Sequence, residues 1–124
     1  MTRTLWFGPT LFALLLMIPT AGWAHAYLVK SAPTRRATLS SAPARVVLWF
    51  NERLEARFSQ LSVWNTEGQQ VDGGDVQVGP DDGKKLSVGT PMLPAGTYTV
   101  KYRVLSVDGH IVEAEFPFTV RSRQ

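Results

Sequence analysis

The stretch TYTVKYRVLSVDGHIVEAEFPFTV, from Thr97 to Val120, decides the fold of this chain. It holds two runs in which apolar and polar residues alternate, separated by the turn-forming pair Asp108-Gly109. Successive side chains of a strand point to opposite faces, so each run predicts a strand with one buried face. The predicted buried positions are Tyr98, Val100, Tyr102 and Val104 in the first strand, and Val112, Ala114, Phe116, Phe118 and Val120 in the second.

The rest of the chain reads as shorter strands separated by turn residues. Pro117 predicts an edge or a bulge in the last strand, because proline cannot donate to a sheet. Segment 69–83 is polar and glycine-rich and predicts a mobile loop or a weak edge hairpin. No convincing helical period occurs, so the chain predicts an antiparallel β-sandwich with Greek-key connections. The other expected strands are Val46–Phe50, Phe58–Trp64, Ala26–Val29, Val76–Val78 and Lys84–Val88.

The first residues have the layout of a secretory signal peptide. Arg3 is the only charged residue before Lys30, and the apolar run Leu11 to Ile18 follows it. The small-x-small triplet GWA at 22–24 predicts cleavage after residue 24. The run is far shorter than the ~20 residues that span a bilayer, so a cleaved leader is favoured over a membrane anchor. We predict a signal peptide at 1–24 and a single domain at 25–124.

Composition narrows the classes of function open to the processed chain. It has no cysteine, so an exported domain must fold without disulfides, and we expect a periplasmic location. Loss of Arg3 lowers the formal net charge from +3 to +2, and the charges that remain are interspersed. The absence of a basic block argues against nucleic-acid binding. No second long apolar segment follows the leader, so we expect no membrane span in the mature chain.

Both histidines of the chain can join one coordination set. Cleavage after Ala24 would make His25 the first residue, with a free α-amine whose pKa is roughly 7.7–8.0. That amine and the ring Nδ1 can close a chelate ring on one metal. Asp108 and His110 are two positions apart, so on extended backbone their side chains share a face. Three nitrogens and one oxygen in a tetragonal plane suit Cu(II), whereas zinc prefers a tetrahedron.

The sulfur content predicts which oxidation state is bound. Met92 is the only methionine left after processing, and soft sulfur ligands are what select Cu(I). We therefore predict one Cu(II) per chain and no dedicated Cu(I) site. Each signal also has an ordinary explanation, since Asp-Gly is a common turn and a histidine at a strand end is usually solvated. The use of both histidines in one set favours the metal.

These residues resemble the CopC/PcoC family of periplasmic copper-binding proteins over nearly the whole mature chain. The resemblance implies an all-β, immunoglobulin-like Greek-key β-sandwich of about seven strands. It implies Cu(II) bound by His25, Asp108 and His110, and an inner-membrane copper-transport protein as partner. The matching segments are HAYL at 25–28, SAP at 31–33, APARVVL at 42–48, FNE at 50–52, LPAGTYTV at 93–100, RVLSVDGH at 103–110 and FPFTV at 116–120.

The family also has a glutamate near its site, after a strand that ends in phenylalanine. Glu52 matches that motif and is predicted either to orient a metal ligand or to be a solvated loop carboxylate. The methionine-rich segment of some family members is missing. Four positions depart from the family pattern in loops and packing: Arg36 and Ala114 replace glycines, Arg53 a proline and Tyr102 a tryptophan.

Three classes of function are consistent with these residues. The first is a soluble periplasmic protein that sequesters or delivers Cu(II) in copper homeostasis or resistance and is not an enzyme. The second is a copper monooxygenase with an N-terminal histidine, which needs an open coordination position that Asp108 would occupy. The third is a metal-free structural module in which Trp49 and Trp64 belong simply to the core.

Overall fold

The hairpin expected from Thr97 to Val120 is the longest element of the structure, a computed structural model that describes residues 26–122. Two four-stranded sheets form the domain, one in the order β1-β3-β6-β5 and the other in the order β2-β8-β7-β4. Among the described residues, the only helix is a single 3-10 turn at Ala56–Phe58. The strands are β1 Leu28–Ala32, β2 Thr38–Leu39, β3 Arg45–Phe50, β4 Gln60–Trp64, β5 Gln77–Val78, β6 Lys85–Gly89, β7 Gly96–Leu105 and β8 Ile111–Val120.

The predicted immunoglobulin-like sandwich is confirmed. Neighbouring strands are mostly not consecutive in sequence, because the chain crosses between the sheets after β1, β2, β3, β4 and β6. The expectation of a purely antiparallel arrangement was wrong at one place, where the two-residue strand β2 runs parallel to the end of β8. That strand was not predicted, because Thr38 and Leu39 are too few to show a pattern.

The β7–β8 hairpin supplies one half of the core. Its pairing runs without interruption from Gly96 opposite Val120 to Leu105 opposite Ile111. The predicted inner faces are confirmed, although Val112 and Ala114 are only partly buried. Most of the other core residues lie in β3, β4 and β6: Val46, Leu48, Phe50, Leu61, Val63, Leu86 and Val88.

Pro117 lies where the edge of the sheet tolerates a missing donor. The N–H of Thr119 donates to Ala37 O, away from β7, at 2.9 Å. Backbone N–H groups two residues apart in a strand point to the same side, so the nitrogen of Pro117 also faces away from β7. Strand β2 pairs only with Thr119 and Val120, which leaves no ladder bond for Pro117 to lose. The edge prediction is therefore confirmed.

The aromatic residues of the two outer faces are not core. Trp49 and Trp64 are both half-buried, so the expectation that they belong simply to the core was wrong. The ammonium group of Lys30 lies 4.4 Å from the ring centroid of Trp49, and that of Lys101 lies 5.1 Å from the ring centroid of Trp64. These cation–π contacts cover indole faces that would otherwise meet water.

Strands β4 and β1 each begin two residues later than predicted. Strand β4 begins at Gln60 rather than Phe58, because Phe58 ends the 3-10 turn, and its N–H donates to Glu55 O at 3.2 Å. Strand β1 begins at Leu28 rather than Ala26. In both places an apolar residue next to a strand resembled part of it.

The polar segment 69–83 contains the edge strand β5, which agrees with the weak edge hairpin expected there. Two aspartates tie this segment to the sheets. Asp72 accepts the N–H of Val63 at 2.9 Å, and Asp75 accepts the N–H of Gly89 at 2.7 Å and a guanidinium N–H of Arg45 at 2.9 Å. Composition gave no sign of these bonds, since aspartate in a glycine-rich stretch usually indicates only a turn.

Arg36, which stands where the family commonly has glycine, adopts a left-handed backbone. Its φ is 63°, a region that costs a residue with a Cβ roughly 1–2 kcal/mol. Its N–H donates to Pro117 O at 2.7 Å, so the conformation joins the start of β2 to β8. The departure from the family pattern therefore introduces backbone strain at this turn.

Replacing Arg36 by glycine should stabilise the domain. Relief of the left-handed strain outweighs the greater freedom of glycine in the unfolded chain, for a net gain of about 0.5–1 kcal/mol in the free energy of unfolding. Urea denaturation of the R36G variant measures this gain. The matched control is R36A, which removes the side chain but keeps the Cβ and should show no gain. Equal stability of R36G and R36A would contradict the assignment of strain.

Candidate metal centre

The turn between β7 and β8 carries two of the predicted ligands. The turn is closed by backbone bonds from Ser106 N to His110 O and from Gly109 N to Ser106 O, each of 2.9 Å. Gly109 has a φ of 94°, which favours glycine, and a Cβ there would meet no atom within 4 Å. The glycine is therefore required by backbone conformation rather than by space, and it lets the flanking side chains converge.

Asp108 and His110 lie side by side as predicted, but on a turn rather than on the extended backbone from which the prediction was made. The Nδ1 atom of His110 is 3.2 Å from Asp108 Oδ1, and each side chain is about one-third exposed, at 32% and 33%. Two donor atoms that share one metal at about 2.0–2.2 Å each are themselves about 3 Å apart. The observed separation therefore fits an adjacent nitrogen and oxygen on one ion, although the Nδ1 atom itself is buried.

Ser106 holds the Asp108 carboxylate in its charged form. The Ser106 hydroxyl, which is buried, donates to Asp108 Oδ1. This hydrogen bond is the largest of the effects that shift the pKa of Asp108, and it lowers that pKa. Burial opposes it as the second-largest effect, and the neighbouring His110 lowers the pKa further. Asp108 is thus ionised at neutral pH, the state in which a carboxylate binds a metal.

Residues 51–54, which we call the bridging loop, connect this turn to the point where the described chain begins. On one side, Val107 N donates to Arg53 O at 2.9 Å, and Leu54 forms a β-bridge with Ser106. On the other side, Asn51 N donates to Tyr27 O at 3.2 Å, and Tyr27 N donates to Asn51 Oδ1 at 2.6 Å. The bridging loop therefore fastens residue 27 and the Asp108–His110 turn to the same end of the sandwich.

Two of the three predicted ligands, Asp108 and His110, lie within the described residues. Asp108 and His110 are together on the hairpin turn. His25 lies outside the described residues, but its neighbour Ala26 is buried, with 1% of its surface exposed. Within residues 26–122 no group of three or more histidine, aspartate or glutamate side chains could hold a metal ion.

Glu52 lies in the bridging loop, between Asn51 and Arg53. It is half-buried, and among the contacts within residues 26–122 none joins it to Asp108 or His110. Its place in the loop agrees with the family motif. Its role as an orienting group stays a prediction.

Sequence reasoning missed the roles of Asn51 and Ser106. Asn51 occurred in the FNE segment and Ser106 in the RVLSVDGH segment, both without an assigned function. Both act through hydrogen bonds. Asn51 accepts from Tyr27, which is 24 positions away in sequence, and Ser106 donates to Asp108, two positions away. The S-x-D spacing was the one available signal for Ser106, since residues two apart in extended chain share a face.

The fold and this turn define a class: a small all-β sandwich that presents a histidine–carboxylate pair at one end. A match to the family described as the CopC domain covers residues 28–121. The chain is also similar to the crystal structure of CopC from Methylosinus trichosporium OB3b, with a TM-score of 0.75 and 35% identity over 81% of this chain and 97% of that one. For PcoC from Escherichia coli, a methionine-rich copper resistance protein, the TM-score is 0.69 and the identity 31%, over 79% of this chain and all of that one.

Two curated relatives extend the comparison. Copper resistance protein C of Pseudomonas syringae pv. tomato is 32% identical, over 90% of this chain and 93% of its own length. Copper transport protein CutJ of Bacillus subtilis is 35% identical over 111 residues, which are 89% of this chain but only 20% of CutJ. The chain thus spans about a fifth of that relative's length. The chain belongs to the CopC domain family, whose relatives named here are copper resistance and copper transport proteins.

Among residues 26–122, no helix has the length and apolar character that a membrane crossing requires.

Loss of the Ser106 hydroxyl should raise the pKa of Asp108. The S106A variant lacks the donor that most favours the charged carboxylate, so Asp108 should titrate closer to the ordinary value of ~3.9. NMR titration of the Asp108 carboxyl carbon measures the change. The control is S62A, because the Ser62 hydroxyl accepts from Trp64 Nε1 and is not among the groups that shift Asp108.

The sign of the accompanying stability effect follows from the lowered pKa. A carboxyl whose folded pKa is depressed stabilises the fold above its unfolded pKa, and this contribution is lost as the pH falls through the folded pKa. The difference in unfolding free energy between the wild type and S106A should therefore be smaller at the acid end of the titration than at neutral pH. An Asp108 pKa that is the same in S106A, S62A and the wild type would contradict the assignment.

Proposed function

We propose that the processed chain is a soluble periplasmic protein that binds one Cu(II) ion and sequesters or delivers it in copper homeostasis and resistance. The observation that carries this proposal is that two features lie at the same end of the sandwich. One is the pair of the ionised Asp108 and His110, and the other is Tyr27, which is hydrogen-bonded to Asn51 of the bridging loop. Membership of the CopC family supports copper as the metal. Copper is the cargo of the protein rather than a resident cofactor. The four proposed donors are the His25 amine, the His25 ring, the His110 ring and the Asp108 carboxylate.

Processing creates the site in this account. Residues 1–24 are the signal peptide, and 25–124 are the exported domain. Cleavage after Ala24 exposes the His25 amine, and Tyr27 is held by Asn51 two residues later. The reach from Tyr27 back to the amine is at most two residues of chain, roughly 7 Å when extended. We therefore propose that the remaining donors come from His25, two positions before Tyr27 in the sequence.

Each donor has a distinct part in holding the ion. The amine and ring of His25 chelate it, and His110 adds the third nitrogen. Asp108 supplies a negative charge that offsets part of the charge of Cu(II) and favours it over Cu(I). Glu52 is proposed to orient this set from the bridging loop without contacting the ion.

The partner we propose is an inner-membrane copper-transport protein. In CutJ, a copper transport protein, the region similar to this chain is joined to a much longer remainder. Three apolar side chains at the same end of this sandwich are mostly exposed: Tyr27, Val107 and Ile111. An apolar rim around the proposed site is suited to contact with another protein during transfer.

We propose that the chain is not an enzyme. A copper monooxygenase needs an open position on the metal for oxygen, and Asp108 lies where it would fill one, 3.2 Å from His110 Nδ1. A metal-free structural module would not need an ionised carboxylate beside a histidine at a turn. Both alternatives therefore account for fewer of the observed contacts than a Cu(II) carrier.

One extra residue ahead of His25 should weaken Cu(II) binding strongly. The addition turns the α-amine into an amide and removes it from the position where it can chelate with the His25 ring. We expect a loss of at least 100-fold in affinity, measured by competition with a Cu(II) chelator of known strength. A matched control carries one extra residue at the C-terminus. Equal affinity of the N-terminally extended and unextended proteins would contradict the chelate.

Reduction should release the metal. Cu(I) prefers sulfur, and the processed chain has only Met92, which is 94% exposed on a turn after β6. With ascorbate and a Cu(I)-specific chelator, copper should transfer to the chelator completely, and at the same rate from wild type and from M92L. Retention of copper that depends on Met92 would contradict the absence of a Cu(I) site.

A further inference from the structure

Asn51 makes an unusual double contact with the chain just after the proposed N-terminal ligand. Its backbone N–H donates to Tyr27 O at 3.2 Å, and its side-chain oxygen accepts the N–H of Tyr27 at 2.6 Å. One residue thus satisfies both backbone groups of Tyr27. The direction in which residue 26 leaves the sheet is fixed by these two bonds together.

The regular ladder cannot fix this direction by itself. Strands β1 and β3 pair at Leu28 with Phe50, and the register shifts by a bulge between Leu28 and Lys30. Tyr27 lies beyond the last pair of the ladder and is 61% exposed. Without the Asn51 side chain, its N–H would have water as a partner, and the segment before it would be less constrained.

Asn51 is also coupled to the other proposed ligands. Two residues later, Arg53 O accepts the N–H of Val107, next to Asp108, and Leu54 bridges Ser106. The bridging loop therefore sets the position of the hairpin turn and of the chain start in one rigid unit. Replacing the Asn51 side chain removes its bond to Tyr27, whereas the pairing of Arg53 and Leu54 with the hairpin turn should remain.

We propose that Asn51 is a positioning residue for the metal: its carboxamide aims the N-terminal segment at the Asp108–His110 pair without contacting the ion. This inference rests on the proposed function, because it concerns the affinity of that site for Cu(II). Outer residues that hold ligands in place typically contribute 10- to 100-fold to metal affinity. In this proposal Asn51 acts through the backbone of Tyr27.

The test compares Cu(II) affinities of processed proteins that begin at His25. The N51A variant removes the acceptor and should bind Cu(II) about 10- to 100-fold more weakly than the wild type. The N51D variant keeps an oxygen in place for the Tyr27 N–H and should bind at least as tightly as the wild type. The matched control is N65A: Asn65 Oδ1 likewise accepts backbone N–H groups, from Glu67 at 3.0 Å and Gln69 at 2.9 Å, but in the turn after β4. It should leave the affinity unchanged.

A second arm separates positioning from a general loss of structure. In proteins that carry an extra residue before His25, the N-terminal chelate is absent, so N51A should cause no further loss of affinity. The Cu(II) electron paramagnetic resonance spectrum of N51A should also shift toward fewer nitrogen ligands, while that of N65A should match the wild type.

The outcomes distinguish this inference from the proposed function. Wild-type protein that fails to bind Cu(II) contradicts the proposed function, and the inference with it. Wild-type binding with an undiminished affinity in N51A overturns the inference alone. The inference is equally overturned if N65A weakens binding as much as N51A does, or if N51A weakens the extended and unextended proteins by the same factor.

Discussion

The end of this domain that carries the proposed site depends on the pairing of the bridging loop, residues 51–54, with two distant parts of the chain. Arg53 and Leu54 pair with the β7–β8 turn, and Asn51 pairs with Tyr27. The loop can do this because β3 ends at Phe50, a buried residue that anchors it between the two sheets. Without this double pairing, Tyr27 and the Asp108–His110 turn would not be held by the same loop.

The charge of the Asp108 carboxylate in the proposed site is maintained although its side chain is only partly buried. Asp108 and His110 are each about one-third exposed, so the carboxylate keeps its charge through the Ser106 hydroxyl and the adjacent histidine rather than through enclosure. The proposed site agrees with a family whose named relatives serve copper transport and resistance.

Sequence patterns predicted those parts of the structure that repeat or lie close together. The alternation in β7 and β8 is long enough to specify the hairpin and its inner face, and the two-residue spacing specified the Asp108–His110 contact. The patterns failed where a contact joins segments far apart in sequence. Strand β2 is too short to carry a period, and the bonds of Asp72, Asp75 and Asn51 depend on tertiary contacts that no local signal records. Trp49 and Trp64 were misjudged because hydrophobicity does not distinguish an inner face from an outer one covered by lysine.

The central claim is that a donor created by proteolysis meets the Asp108–His110 pair on one Cu(II) ion. A crystal structure of the processed protein grown with Cu(II) tests it most directly. The account predicts a single copper bound by the amine and ring of His25 together with His110 and Asp108, beside an intact contact between Asn51 and Tyr27. Copper bound at His110 with the His25 amine turned away, or copper at another place on the domain, would contradict it.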